Sequence, residues 1–237
     1  MSNLVIIGIS DTADRIIRYV NRYRLFNVIG CAVDKMYLAE NEYVTIGGGS
    51  FRVWDLEHLH EYIDIENDYV FVALLWNRLN ADRRSLFEKV QQMNRFKFAN
   101  IISPNAIVRG EIKGVNCWIC DNVIIHELAV VGDDVFVMDK AFVGHRSVVK
   151  SHAFLAVGSM VMGSVVVGEQ CFIGINANIF DGTHIGNKCL VGACTYVKRN
   201  LPDFSTIKTP SDSSRFLQRL LRNLIRMIFI SQKRLRT

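Results

Sequence analysis

Six histidines and six cysteines are the side chains through which this 237-residue chain could do acid–base, nucleophilic or metal chemistry. Imidazole, with an ordinary pKa of about 6.5, takes up and releases a proton near neutrality. His126, His145, His152 and His184 all lie in the second half of the chain, at intervals of 19, 7 and 32 residues. A catalytic zinc needs three converging histidines or their equivalents, and intervals this unequal do not stack three at one place. Cys117-Trp-Ile-Cys120 has the spacing of half a zinc or redox site, but no second such pair completes it. No metal is therefore expected. Near the amino terminus, Gly8-Ile-Ser-Asp-Thr12 joins an apolar run to a helix-like pattern. Such a turn aims backbone N–H groups at an anion, a phosphate above all. Asp34 closes the next apolar run, where a carboxylate can reach a ribose hydroxyl. Whether any of these groups can work depends on the elements that carry them.

The elements are set by a repeat. Stepping by six from Ile107 to Val197 gives sixteen positions, fifteen of them aliphatic; only Lys113 breaks the series. Four residues after each runs a second series, from Cys117 to Thr195, in which all fourteen residues are small or β-branched. Glycine follows the series residue at 114, 132, 144, 168, 174, 186 and 192, aliphatic in every case but Lys113. A period of six fits neither a helix nor an alternating strand. It fits a three-sided solenoid in which each hexapeptide supplies a short strand and a corner, with three hexapeptides to a coil. The aliphatic residue fills the interior, the small residue a crowded corner, and glycine is expected to permit the turn. The pattern resembles the hexapeptide-repeat left-handed parallel β-helix. Cys117, Cys171 and Cys189 fall on the small inward positions, which makes them core residues rather than ligands.

The first hundred residues read differently. Strands over 4–7, 27–33 and 69–74 alternate with helical segments over 13–20, 55–64 and 81–94, the order of a small parallel, Rossmann-like α/β sheet. After Val197 the chain is expected to leave the solenoid. Ser213 can cap a helix over 214–230, with Arg215, Arg219, Arg222 and Arg226 on one stripe and Leu217, Leu220, Leu221 and Leu224 on its apolar side. The expected organisation is thus an α/β unit over 1–100, a left-handed β-helix over 101–200 and a basic amphipathic tail over 201–237. The tail helix either lies on an anionic membrane or packs on the protein, its arginines solvated.

A small α/β unit followed by a hexapeptide solenoid resembles the sugar acetyltransferases, sialic-acid O-acetyltransferases and bacterial nucleotide-amino-sugar N-acetyltransferases among them. The resemblance covers residues 3–210 and is most specific from Val143-Gly-His-Arg-Ser-Val-Val149 to Cys171-Phe-Ile-Gly-Ile-Asn176. It implies a homotrimer with active sites between neighbouring solenoids, acetyl-CoA as co-substrate along the solenoid groove, and the nucleotide of a nucleotide-linked amino sugar in the α/β unit. His145 matches the catalytic histidine, and general-base removal of a proton from the attacking sugar amine or hydroxyl suits an imidazole. Gly174, Ile175, Gly192 and Ala193 match coenzyme A positions; Gly8, Ser10, Asp34 and Asn77 match substrate positions. The chain departs from the family pattern in several places. Arg146 stands where an acidic residue usually orients the histidine, and Glu127, eighteen residues before it, is the candidate substitute. Phe154 replaces a second histidine, with His152 out of register. The closing Gly-x-Pro-Ala reads Lys208-Thr-Pro-Ser211.

The charge narrows the choice of partner. The net +5 divides into −2 up to Ile207 (20 basic, 22 acidic residues) and +7 beyond it (eight basic residues against Asp212). A nucleic-acid binder needs its folded surface basic, so this class is disfavoured. The opening Leu4–Ile9 run is too short for an export signal, and six cysteines without one predict free thiols in a cytoplasmic setting, with the tail able to reach the inner membrane surface. The function predicted is transfer of acetyl from acetyl-CoA to the amino group of a nucleotide-linked sugar in surface-polysaccharide biosynthesis. Sugar O-acetylation and a non-catalytic trimeric scaffold are the alternatives.

Overall fold

A computed structural model describes residues 1–38, 42–75 and 77–209. The expected carboxy-terminal helix and its arginine stripe lie outside the described residues, as do Pro210 and Ser211. The first hundred residues form strands β1 (Asn3–Ile7), β2 (Asn27–Val33), β3 (Tyr43–Ile46), β4 (Gly49–Asp55), β5 (Tyr69–Val72) and β6 (Lys97–Phe98), with helices α1 (Asp11–Tyr23) and α2 (Ala81–Gln92). One sheet orders them β3-β4-β2-β1-β5-β6, parallel throughout except for the β3–β4 hairpin. That hairpin has no counterpart in the sequence reading, and residues 56–61 form a 3₁₀ turn rather than a helix. Buried on both faces, β1 is a run of apolar residues: Leu4 and Ile6 pack with α1, Val5 and Ile7 with α2.

From Ile101 the chain winds into a left-handed parallel β-helix whose two-residue strands stack on three faces. Face one runs from Ile101–Ile102 through Trp118–Ile119 to Thr206–Ile207, face two from Ile107–Val108 to Tyr196–Val197, and face three from Glu111–Ile112 to His184–Ile185. Each strand pairs with the one a coil on, as Phe142 with Met160 and Val148 with Val166. The aliphatic residues from Ile119 to Val191 are fully buried, and the small residues from Cys117 to Cys189 are equally closed to solvent, at most 3% exposed. Each buried aliphatic side chain of this interior column contributes about 1.5–3 kcal/mol to the fold.

Three details differ from the repeat as read. The first coil is offset: Ile107 pairs with Ile124 and is 46% exposed, while Val108 and Ile112 pack on the core. Ile107 and Lys113 are therefore not inward positions; the series settles into register only from Ile119. Second, the left-handed backbone of each corner is not carried by the glycine after the aliphatic residue. It falls two residues later, at Asn122, Leu128, Asp134, Lys140, Arg146, His152 and so on every six residues. Gly144 is needed instead because a Cβ there would lie 2.5 Å from the Met162 carbonyl carbon in the next coil. Third, the solenoid continues past Val197, since Leu201 bridges Ile185 and Thr206–Ile207 adds a strand to face one.

The α/β unit covers face one. Trp118, Phe136, Phe154 and Phe172 occupy its outward positions eighteen residues apart, and Phe71 of β5 stacks on Phe136 at 5.8 Å. Tyr19 and Tyr23 of α1 donate to Asp121 at 2.7 and 2.6 Å, anchoring the helix to the first corner.

Candidate active site

His145 sits at the corner between faces two and three, two residues beyond the inward Val143, with its side chain exposed. Its ring lies over Gly163, one coil on: a Cβ at 163 would come within 2.8 Å of both ring nitrogens. The glycine clears the seat for the imidazole. His126, from the coil before, brings its ring edge-on to His145 with centroids 6.4 Å apart. The 19-residue interval thus joins two histidines although it stacks no third; His184 lies on face three. Glu127 does not take the orienting role expected of it. Its carboxylate contacts His126 and stands 3.8 Å from Arg109, a cation that draws it away from His145. Among the described residues, Glu127 makes no hydrogen bond or ion pair with His145. Arg146 takes the left-handed backbone of the corner (φ 57°).

Gly174, Ile175, Gly192 and Ala193 lie at a different corner, between faces one and two. Gly174 is stacked directly on the next coil, where a Cβ would meet Ala193 N at 2.6 Å. Ile175 is half exposed and Ala193 half-buried. Face two separates this corner from that of His145, so one chain does not bring the two groups together.

The four expected substrate positions do come together. Gly8, Ser10, Asp34 and Asn77 line one cavity of about 610 Å³, within the range of sites that enclose a small molecule. The reason is topological. The chain runs outward from β1 to β2 and β4, then crosses back to β5 on the other side, and the crevice opens where the order reverses, at the carboxyl ends of β1 and β5. Gly8 has φ +121° and abuts the Ala73 carbonyl, a backbone that an L side chain rarely adopts. Ser10 stands at the N-cap of α1, its hydroxyl donating to Ala73 O at 3.3 Å rather than back to the helix. The Asp34 carboxylate accepts from Lys89 Nζ at 2.8 Å, and the hydrogen bonds that the lysine donates to Asp34 and Glu57 raise its pKa. Arg78, bonded to Asp82, forms another charged edge. Apolar Ile7, Val33 and Leu86 complete the wall. Lys89 and Asp82 were missed from sequence, because nothing in a helix face of mixed charge says which side it presents to a cleft; Arg78 was missed because it lies in the turn before the helix, where no periodicity marks it.

Cys117 and Cys171 are buried, their thiols pushed up to about 12 by desolvation, and behave as small core residues. His152 is buried against Asp134. Among the described residues no group of three or more His, Cys, Asp or Glu is placed to hold a metal ion, and no helix is long and apolar enough to cross a membrane.

Residues 164–199 match the family described as the hexapeptide repeat of succinyl-transferase. No curated protein sequence matches the chain. Among solved structures, a GDP-perosamine N-acetyltransferase variant from Caulobacter crescentus, in complex with CoA and GDP-perosamine, is 25% identical. It matches with TM-score 0.73 over 88% of this chain and 94% of its own. The acetyltransferase domain of PglB from Neisseria gonorrhoeae matches at 21% identity and TM-score 0.72, over 88% and 97%. WeeI from Acinetobacter baumannii matches at 15% and 0.70, over 88% and 97%. The fold, α/β unit and solenoid together, is that of the hexapeptide-repeat sugar N-acetyltransferases. The likeness runs nearly the full length of each of them and is not confined to the repeat.

Proposed function

We propose that the chain transfers acetyl from acetyl-CoA to the amino group of a nucleotide-linked amino sugar, with His145 as general base. The observation that carries this reading is the convergence of Gly8, Ser10, Asp34 and Asn77 on the switch-point cavity, in a fold whose relative binds CoA and GDP-perosamine. The base and ribose fit the apolar wall and Asp34, and the diphosphate fits the α1 N-terminus with Arg78 and Lys89 at hand. The amine, as free base, attacks the thioester carbonyl. His145 accepts its proton; as the tetrahedral intermediate collapses the C–S bond breaks, and the departing CoA thiolate takes that proton from the imidazolium to leave as thiol.

The same geometry supports the homotrimer that the family resemblance implies. His145 and the Gly174–Ile175 corner diverge within one chain, and the face between them carries exposed Met160, Phe180 and Tyr196. A second copy docked on this apolar face would bring its coenzyme corner to His145. The basic tail supports peripheral contact with the cytoplasmic face of an anionic membrane, tested by liposome sedimentation with and without residues 213–237; equal sedimentation ends that idea.

The reaction is tested by thiol release from acetyl-CoA with UDP-, dTDP- and GDP-linked amino sugars. Release should require the amino sugar and fall about 10²–10⁴-fold in His145→Ala, with assembly unchanged. A folded wild-type protein silent against the whole panel would overturn the reading.

A further inference from the structure

Helix α2 has two working faces. Asp82, Ser85, Leu86 and Lys89, spaced by three, one and three, line the cavity. The buried flank beside it carries Arg83, whose side chain is wholly enclosed against the solenoid. Its Nε donates to Asp134 Oδ2 at 3.0 Å. Its Nη2 donates to the carbonyls of Asp134 at 3.0 Å and of His152 and Ala153 at 3.3 Å. The guanidinium also lies 4.0 Å over the Phe136 ring. Asp134, itself fully buried, is held by Asn116 Nδ2 at 2.8 Å, and Asn116 Oδ1 accepts in turn from Val72 N of β5 at 2.7 Å. Asn80, at the start of the helix, donates to the carbonyls of His152 and Cys171 at 2.9 and 3.0 Å.

An apolar contact could hold α2 on the solenoid, but it would tolerate sliding. A buried ion pair does not: a slip of one helical turn, 5.4 Å, would part Arg83 from Asp134 and leave the guanidinium desolvated without its carboxylate, with only His152 and Asn116 still on Asp134. We propose that Arg83, locked by Asp134, is a positioning residue that fixes the register of α2 and so sets where the cavity holds its ligand relative to the transfer corner. The proposal rests on the reading of that cavity as the nucleotide-sugar site. It assigns to the contact between the two units a role in catalysis that stability alone does not require. Acetyl transfer demands that the amine nitrogen and the thioester carbon meet in line at about 3–3.5 Å, and a misplacement of 1 Å costs up to about 10²-fold in rate.

The test compares wild type with Arg83→Met, Arg83→Lys and Asn80→Gly, the last keeping the left-handed backbone at 80 while removing its side-chain bonds. Hydrogen exchange of residues 81–92 and of the solenoid is measured beside kcat and KM. In Arg83→Met the solenoid should stay protected and 81–92 should exchange faster. Its kcat per folded molecule should fall about tenfold or more, with KM for acetyl-CoA within about twofold. Arg83→Lys should recover part of the loss. Should Arg83→Met not fold, Asn80→Gly carries the same comparison with a smaller loss. Wild-type exchange in 81–92, or a lowered melting temperature with unchanged kcat per folded molecule, would overturn the proposal. If wild-type protein acetylates no nucleotide sugar, the reading of the cavity fails, while the exchange comparison still decides whether Arg83 fixes α2.

Discussion

At the scale of residues, His145 shows how a solenoid makes a reactive group available. A side chain two places after an inward aliphatic must leave the core, and the corner turns it to solvent. Its seat depends on the absence of a side chain at Gly163. Gly163→Ala should therefore lower kcat by about tenfold or more while leaving the circular dichroism spectrum unchanged; wild-type kcat would show that the ring has another resting place. The placement of His145 at an exposed corner was legible because the six-residue register predicts that corner. His126 was not, since its 19-residue offset from His145 hides it from an eighteen-residue comparison. Nor was Glu127's contact with His126 and Arg109 legible, because a neighbouring charge, not the register, decides where a carboxylate turns.

The elements are governed by the crowding of coil on coil, and two kinds of glycine separate two physical causes. Gly182 has φ +68° and nothing within 4 Å of where its Cβ would be, so Gly182→Ala isolates the left-handed backbone penalty, about 1 kcal/mol. Gly144→Ala meets backbone in the next coil and should cost about 1–3 kcal/mol or more from overpacking. Urea denaturation of the two variants orders the effects, and a Gly182 variant costlier than the Gly144 one would refute the distinction. The anchor of α1 gives a pH prediction. Burial pushes the Asp121 carboxyl up, but hydrogen bonds from Ser103, Tyr23 and Tyr19 outweigh it and hold the pKa below the ordinary 3.8. A depressed folded pKa stabilises fully above the unfolded value, and that contribution disappears as pH falls through the folded one. The stability gap between wild type and Asp121→Asn should thus be constant above about pH 5 and close as pH falls below about 4; a gap independent of pH would exclude the carboxylate as its source.

For the whole molecule, the three outward faces have different fates. Face one is covered by the α/β unit through Trp118, Phe136 and Phe154, and face two leaves Met160, Phe180 and Tyr196 exposed. Phe180→Asp with Tyr196→Glu should yield a folded monomer by light scattering and abolish acetyl transfer; a persisting trimer would place the interface elsewhere. The sequence by itself determined the solenoid, because a core one residue wide repeats its demand every six positions and leaves a periodic trace. It also determined the alternation of strands and helices before it, and the aromatic series at 118, 136, 154 and 172 was present to be read as a covered face. What only the tertiary structure decided was the offset of the first coil, the left-handed corner positions, the β3–β4 hairpin and the two-faced role of α2. The offset and the role of α2 depend on contacts between residues far apart in the chain. Arg83 reads as a solvated charge on a mixed helix until folding buries it beside Asp134, fifty-one residues away. Periodic packing is a local constraint and is written locally; the joining of two units is a long-range one, and no short stretch of sequence records it.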